Sequence, residues 1–267
     1  MSRIAATFGA LREAGRAALI PFVEAFDPCR ATTLELLTGM AKHGADIIEI
    51  GVPFTDPMAD GPTIQAAGRR ALQAGATLRG VLGIVQEFRQ GNNHTPLVLM
   101  GYLNPILSYG VDAFTRDAAA SGVDGLIVVD LPTEECDLLL PAAAANQLDV
   151  IRLIAPTTCD ARLPKVLAGS SGFVYYVSIT GITGTSTATA EDLARDIPRI
   201  RRATRLPIAV GFGVRTPEQA AIVAGYADGA IVASALIEKL CKTDVAGVLQ
   251  DVAALAAGIR NAAKVAA

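Results

Sequence analysis

Short runs of β-branched and aliphatic residues recur along the chain, apolar at odd and even positions alike. A strand that is apolar on both faces is one buried between two layers, as in a parallel sheet covered by helices. Eight such runs stand out, at residues 18–23, 46–50, 96–100, 125–130, 149–154, 173–177, 207–211 and 229–232. Between them lie longer Ala/Leu-rich stretches with helical patterning, for example 33–42, 111–121, 134–145, 190–202 and 217–224. Thr32 or Thr33 ahead of Glu35, Thr133 ahead of Glu134 and Glu135, and Thr216-Pro217-Glu218 predict helix starts, because a hydroxyl caps free backbone N–H groups and proline tolerates the first turn. Eight βα units in succession, with no linker between them, predict an α/β fold closed into a (β/α)8 TIM barrel, one domain over residues 1–267. An open doubly wound sheet would call for a dinucleotide loop after the first strand, where Phe22-Val23-Glu24-Ala25-Phe26-Asp27-Pro28 stands instead. Segments 3–14 and 245–264 read as extra terminal helices that cap the barrel.

Composition narrows the picture. With 267 residues, 51% of them hydrophobic, the chain can bury one large core, and at 18% charged residues it leaves little for disordered tails. The net charge is −3 and no basic run stands out, which argues against a nucleic-acid partner. The apolar runs have strand length and are broken by Gly, Pro or Asp, so no membrane span is expected, and the first 16 residues lack the apolar core of a secretion signal. Cys29, Cys136, Cys159 and Cys241 are far apart and form no CxxC pair, as expected of free thiols in a reducing cytoplasm.

In such a barrel, chemistry gathers at the C-terminal ends of the strands. Two carboxylates lie there, one at the end of the second run and one in the loop that follows it. Glu49 alternates with Ile48 and Ile50 in an otherwise apolar strand; a buried carboxyl with no use is costly, and one facing the mouth would have a raised pKa suited to proton transfer. Asp60 ends a loop punctuated by proline and glycine, directly before Gly61-Pro62; it fits a helix N-cap as well as a mouth carboxylate, whereas Asp56 before Pro57 fits a turn. Glycine-bearing stretches follow the sixth, seventh and eighth runs: Thr180-Gly181-Ile182-Thr183-Gly184-Thr185, Gly211-Phe212-Gly213-Val214 and Val232-Ala233-Ser234-Ala235. Glycine lets backbone N–H groups approach an anion, and a helix start adds free donors, so these loops form a candidate phosphate cradle. Residues 178–189, rich in Gly, Ser and Thr, read as an active-site lid.

The stretch Ile48-Glu49-Ile50-Gly51-Val52-Pro53-Phe54-Thr55-Asp56-Pro57-Met58-Ala59-Asp60-Gly61-Pro62-Thr63-Ile64-Gln65 closely resembles the signature of tryptophan synthase alpha chains, and the likeness continues from Phe22 to Ser234 at similar spacing. The resemblance implies a lyase of tryptophan biosynthesis that splits indole-3-glycerol phosphate into indole and glyceraldehyde 3-phosphate. It implies that Glu49 is the general acid/base, that Asp60 is the second catalytic carboxylate and that Tyr175 stands in the active site near Glu49. It places Phe22, Ile64, Met100, Tyr102, Ile127, Leu153 and Phe212 around the indole ring, although each would serve equally well as barrel core. It places Thr183, Gly184, Gly213, Ala233 and Ser234 around the phosphate. It further implies a tryptophan synthase beta chain as partner, in a heterotetramer of two alpha and two beta chains, met through residues 53–60 and the turns at Asn104-Pro105 and Leu131-Pro132. Pyridoxal phosphate is then expected only in that partner, and no cofactor or metal in this chain.

The residues themselves fit that chemistry. A retro-aldol cleavage needs an electron sink. Lys42, Lys165, Lys239, Lys242 and Lys264 all fall outside the proposed strands, and His43 and His94 are a helix-end and a loop residue, so neither a Schiff base nor a metal cluster is indicated. Protonated indole can be its own sink, which requires only acids and bases. The chain departs from the family pattern at Glu24 and Phe26, where Thr and Gly are usual, and at Ala233, where Gly is usual; tighter packing and altered substrate affinity are the expected consequences.

Overall fold

The computed structural model describes residues 2–177, 189–211 and 213–262. Its strands are β1 (Ala18–Glu24), β2 (Ile48–Gly51), β3 (Leu97–Gly101), β4 (Gly125–Val128), β5 (Asp149–Val150), β6 (Arg152–Ile154), β7 (Val174–Val177), β8 (Ile208–Gly211) and β9 (Gly229–Val232). All pairings are parallel, in the order β5-β4-β3-β2-β1-β9-β8-β7-β6. The fifth run expected from the sequence is divided at Ile151. Its first half pairs with β4 and its second with β7, and Ile151 N–H donates to the Leu126 carbonyl at 3.0 Å, so the sheet comes round to meet itself.

The helices are α1 (Arg3–Glu13), α2 (Arg30–Lys42), α3 (Pro62–Gln73), α4 (Leu78–Gly91), α5 (Leu103–Tyr109), α6 (Val111–Ser121), α7 (Leu140–Ala145), α8 (Leu163–Leu167), α9 (Ala190–Ala203), α10 (Pro217–Tyr226), α11 (Ser234–Lys242) and α12 (Val245–Arg260). The helix expected over 134–145 is a 3-10 turn, Thr133–Leu138, followed by α7, because Pro141 breaks the hydrogen-bond ladder where α7 begins. Thr216 caps α10 as expected, in a reciprocal pair with Gln219. α2 starts earlier than expected, after Cys29; Thr33 is buried inside the helix and its hydroxyl accepts from Phe26 N–H at 2.8 Å.

Strand alternation sorts the side chains into two cores. Leu19, Ile48, Ile50, Leu99, Val150, Tyr176, Val210 and Ala230 face the helix layer. Ala18, Ile20, Ile47, Val98, Ile127, Ile151, Phe173, Ala209 and Ile231 fill the barrel, and Ile4, Phe8 and Leu11 of α1 close its floor, with the Phe8 and Phe173 rings 5.8 Å apart. α1 therefore caps the barrel as expected. α12 does not: its buried residues Val248, Val252, Leu255, Ala256 and Ile259 form one stripe, and it packs in the outer ring against α2, α10 and α11. A plugged floor leaves the C-terminal mouth as the open end.

Candidate active site

Above the core sits a cavity of about 340 Å³, lined by the ends of β1, β2, β3, β6, β7, β8 and β9 and by the loops that follow them. Glu49 projects into it because Ile48 and Ile50 occupy the opposite face of β2. In register it lies between Phe22 of β1 and Val98 of β3. Its side chain is almost wholly enclosed, at 1% exposure, and neither carboxyl oxygen has a hydrogen-bond partner among the described residues. Burial, and secondarily the negative charge of Asp60, push its pKa up to about 8. At neutral pH Glu49 thus holds a proton it can give away.

Asp60 lines the same cavity. It is not the N-cap of α3; that position belongs to Gly61, which offers no side chain. The loop is pinned instead by its neighbours. Gln65 Nε2 donates to the Asp60 carbonyl at 2.9 Å, and Ala59 N–H donates to the Tyr102 hydroxyl oxygen at 3.0 Å. The Tyr102 O–H in turn donates to the Asp60 carboxylate. Burial raises the Asp60 pKa to about 6, with the Tyr102 bond pulling the other way. The two carboxyls therefore titrate on opposite sides of neutrality, which is how one site supplies both an acid and an anion.

Tyr175 faces the cavity and Tyr176 the helix layer, where its hydroxyl donates to Asp196. Burial, then the charge of Glu49, raises the Tyr175 pKa well above the usual phenol range. Room for the Tyr175 ring exists because residue 211 is glycine: a Cβ there would come within 2.7 Å of its hydroxyl.

Of the expected apolar wall, Phe22, Ile64, Met100, Tyr102 and Leu153 line the cavity. Ile127 sits lower, fully buried in the barrel interior beside Val98 and Ile151, and the position two residues further along, Val129, reaches the cavity in its place. At the far rim lie Gly213, Ala233 and Ser234, the last opening α11. Ala233 has a φ of −118°, outside the left-handed region that favours glycine. Thr183, Gly184, Phe212 and the expected lid fall outside the described residues apart from its last residue, Thr189, which caps α9.

Glu24, one of the departures from the family pattern, lines the cavity; it is buried, and Gly51 leaves room for its carboxyl. Burial, then the charges of Asp60 and Asp27, holds its carboxyl well above the usual range. Phe26 takes up a φ of +67° and covers Gly80 with its ring, whose Cζ would lie 2.7 Å from a Cβ at that glycine. Arg215 also lines the cavity and was not foreseen; its only signal was a cation two residues beyond Gly213. Among the described residues no lysine or histidine lines the cavity, and no group of three or more His, Cys, Asp or Glu side chains is placed to hold a metal ion.

The protein-family model described as "Tryptophan synthase alpha chain" matches residues 8–266. The chain is 70% identical to the tryptophan synthase alpha chain of Acidiphilium cryptum (strain JF-5), over 98% of each protein, and 63% identical to that of Granulibacter bethesdensis, again over 98% of each. Among solved structures it resembles tryptophan synthase subunit alpha from Legionella pneumophila str. Paris, with a TM-score of 0.91 and 38% identity over 98% of this chain and 99% of that one. It also resembles a chain of Mycobacterium tuberculosis tryptophan synthase, with a TM-score of 0.90 and 40% identity over 97% and 98%.

Proposed function

The chain belongs to the tryptophan synthase alpha chain family, and from that premise we propose how its residues cleave indole-3-glycerol phosphate to indole and glyceraldehyde 3-phosphate. The observation that carries the reading is the pairing of an unpartnered, buried Glu49, protonated at neutral pH, with an ionised Asp60 in one cavity at the C-terminal mouth.

Asp60 accepts the indole N–H and opposes the positive charge that grows there. Glu49 gives its proton to indole C3, which creates the indolenine cation. The same carboxylate then takes the proton of the side-chain hydroxyl next to C3. As that O–H bond breaks, a C=O bond forms, the carbon–carbon bond to C3 breaks, and its electron pair restores the aromatic indole. One proton enters and one leaves, so nothing is oxidised or reduced. A positioned acid/base group contributes roughly 100- to 10,000-fold in rate, and a matched counter-charge adds a few kcal/mol, approximately. Tyr175 holds the Glu49 side of the cavity in shape. The phosphate lies at the rim formed by Gly213, Ala233 and Ser234, where the start of α11 presents backbone donors.

The scheme asks for no lysine, metal or cofactor of this chain's own; pyridoxal phosphate belongs to the tryptophan synthase beta chain with which the alpha chain pairs. Met58, 76% exposed in the loop that carries Asp60, gives that partner an apolar foothold beside the catalytic carboxylate. We place the reaction in the cytoplasm, consistent with four free cysteines and with no described helix long and apolar enough to cross a membrane. Indole release from indole-3-glycerol phosphate, followed with and without added beta chain, tests the reading. Wild type is expected to release indole and to be activated by the partner, while Glu49→Gln loses at least 100-fold, about the low end for a general acid. Cleavage by Glu49→Gln at the wild-type rate would remove the assignment.

A further inference from the structure

The cavity presents three carboxyl groups, Glu24, Glu49 and Asp60, to a substrate that itself carries a phosphate dianion. Asp60 is the ionised member of the three, and its charge opposes the entry of a second anion into the same enclosed space. Arg215 is the only cationic side chain among the described residues that line this cavity. It follows Gly213 by two positions on the loop after β8, and its backbone N–H donates to Gln219 Oε1 at 2.7 Å, which fixes the start of its side chain. The guanidinium does not project freely. It grips Glu238 of α11 through both nitrogens, Nη1 to Oε1 at 3.4 Å and Nη2 to Oε2 in closer contact. Glu238 Oε1 also accepts from the Thr63 hydroxyl at 3.4 Å, at the first turn of α3. Glu238 lies one turn along α11 from Ser234, so the pair is anchored only about 6 Å from the proposed phosphate rim.

We propose that Arg215 is a phosphate-recruiting residue of this site, held in reserve by Glu238 and transferred to the substrate's phosphate when it enters. The inference rests on the reading of the rim as the phosphate end. The exchange is chemically favourable in form. Arg215 and Glu238 are 46% and 32% exposed, and an ion pair so open to water is held weakly. A phosphate dianion offers the guanidinium two parallel charge-assisted bonds and twice the charge of a carboxylate. Glu238, once released, keeps the Thr63 hydroxyl.

The test uses the full chain and two probes, glycerol 3-phosphate for the phosphorylated end and indole for the apolar end. Arg215→Gln is expected to weaken glycerol 3-phosphate binding about tenfold and to raise KM for indole-3-glycerol phosphate similarly, with kcat within twofold and indole binding unchanged; tenfold corresponds to about 1.4 kcal/mol. Glu238→Gln, which frees the arginine, is expected to tighten glycerol 3-phosphate. Equal weakening by both variants would overturn the inference, since it would make the pair a strut for the loop. Unchanged phosphate binding in Arg215→Gln would overturn it as well while sparing the site. Wild type that binds indole but not glycerol 3-phosphate would instead bring down the placement of the phosphate at this rim.

Discussion

Glu49→Gln should make the protein more stable as well as inactive, and more so as pH rises. The folded carboxyl has a pKa near 8 and an ordinary one is 4.5, so between these values the folded state keeps a proton that the unfolded chain has lost. Stability rises with pH only where the unfolded state binds more protons; here the folded state binds more, so wild type loses stability from about pH 4.5 up to about pH 8. The full gap corresponds to about 5 kcal/mol, and the part between pH 5 and pH 8 to about 4 kcal/mol. Glutamine occupies nearly the same volume and has no charge to bury, so the variant is free of this loss. Calorimetric melting of both proteins at pH 5, 6.5 and 8 isolates the effect, because every other titrating group is common to the two. The variant's advantage should grow by roughly 8–16 °C from pH 5 to pH 8, at about 2–4 °C per kcal/mol for a domain of this size. A difference in melting temperature that stays constant across that range would mean that Glu49 is not an uncompensated buried acid, and the proton-donor role would lose its physical basis.

The same two groups set the pH profile of the isolated chain. With Asp60 required as the anion and Glu49 as the acid, kcat/KM should rise as pH passes about 6 and fall as it passes about 8; a profile flat from pH 5 to 9 would separate both residues from the chemistry. Gly51→Ala should cost about 1–3 kcal/mol of stability through overpacking and raise KM, because the added methyl meets the Glu24 carboxyl and lies 2.5 Å from Phe22 Cζ. Thermal melting and steady-state kinetics on that variant check both parts, and an unchanged KM would show that the Phe22 wall does not touch substrate.

Much of this architecture is legible in the residues themselves. Runs apolar on both faces can be satisfied only between two layers, so strand positions and the helical cover follow from burial alone. Glu49 between Ile48 and Ile50 forces the carboxyl to one side of the sheet from the other two, which already singles it out. The choice between cap and catalyst at Asp60 was not decided locally, since both readings satisfy the same loop. The folded chain gives the cap position to Gly61 and ties the Asp60 carboxylate to Tyr102, 42 positions away on the next strand end, whose hydroxyl bridges Ala59 N–H and that carboxylate. Ile127 and Val129 share one strand parity, and only the height of the α1 plug and of the core layers decides that the first is floor and the second wall. The Arg215–Glu238 pair joins the loop after β8 to helix α11, 23 residues further on, and nothing in either segment requires the other. Periodicity determined which side each residue faces, because alternation is a property of the backbone; closure of the barrel decided which of those residues meet and at what depth, because burial, charge proximity and hence the pKa values of Glu49 and Asp60 depend on neighbours that the chain brings together only in three dimensions.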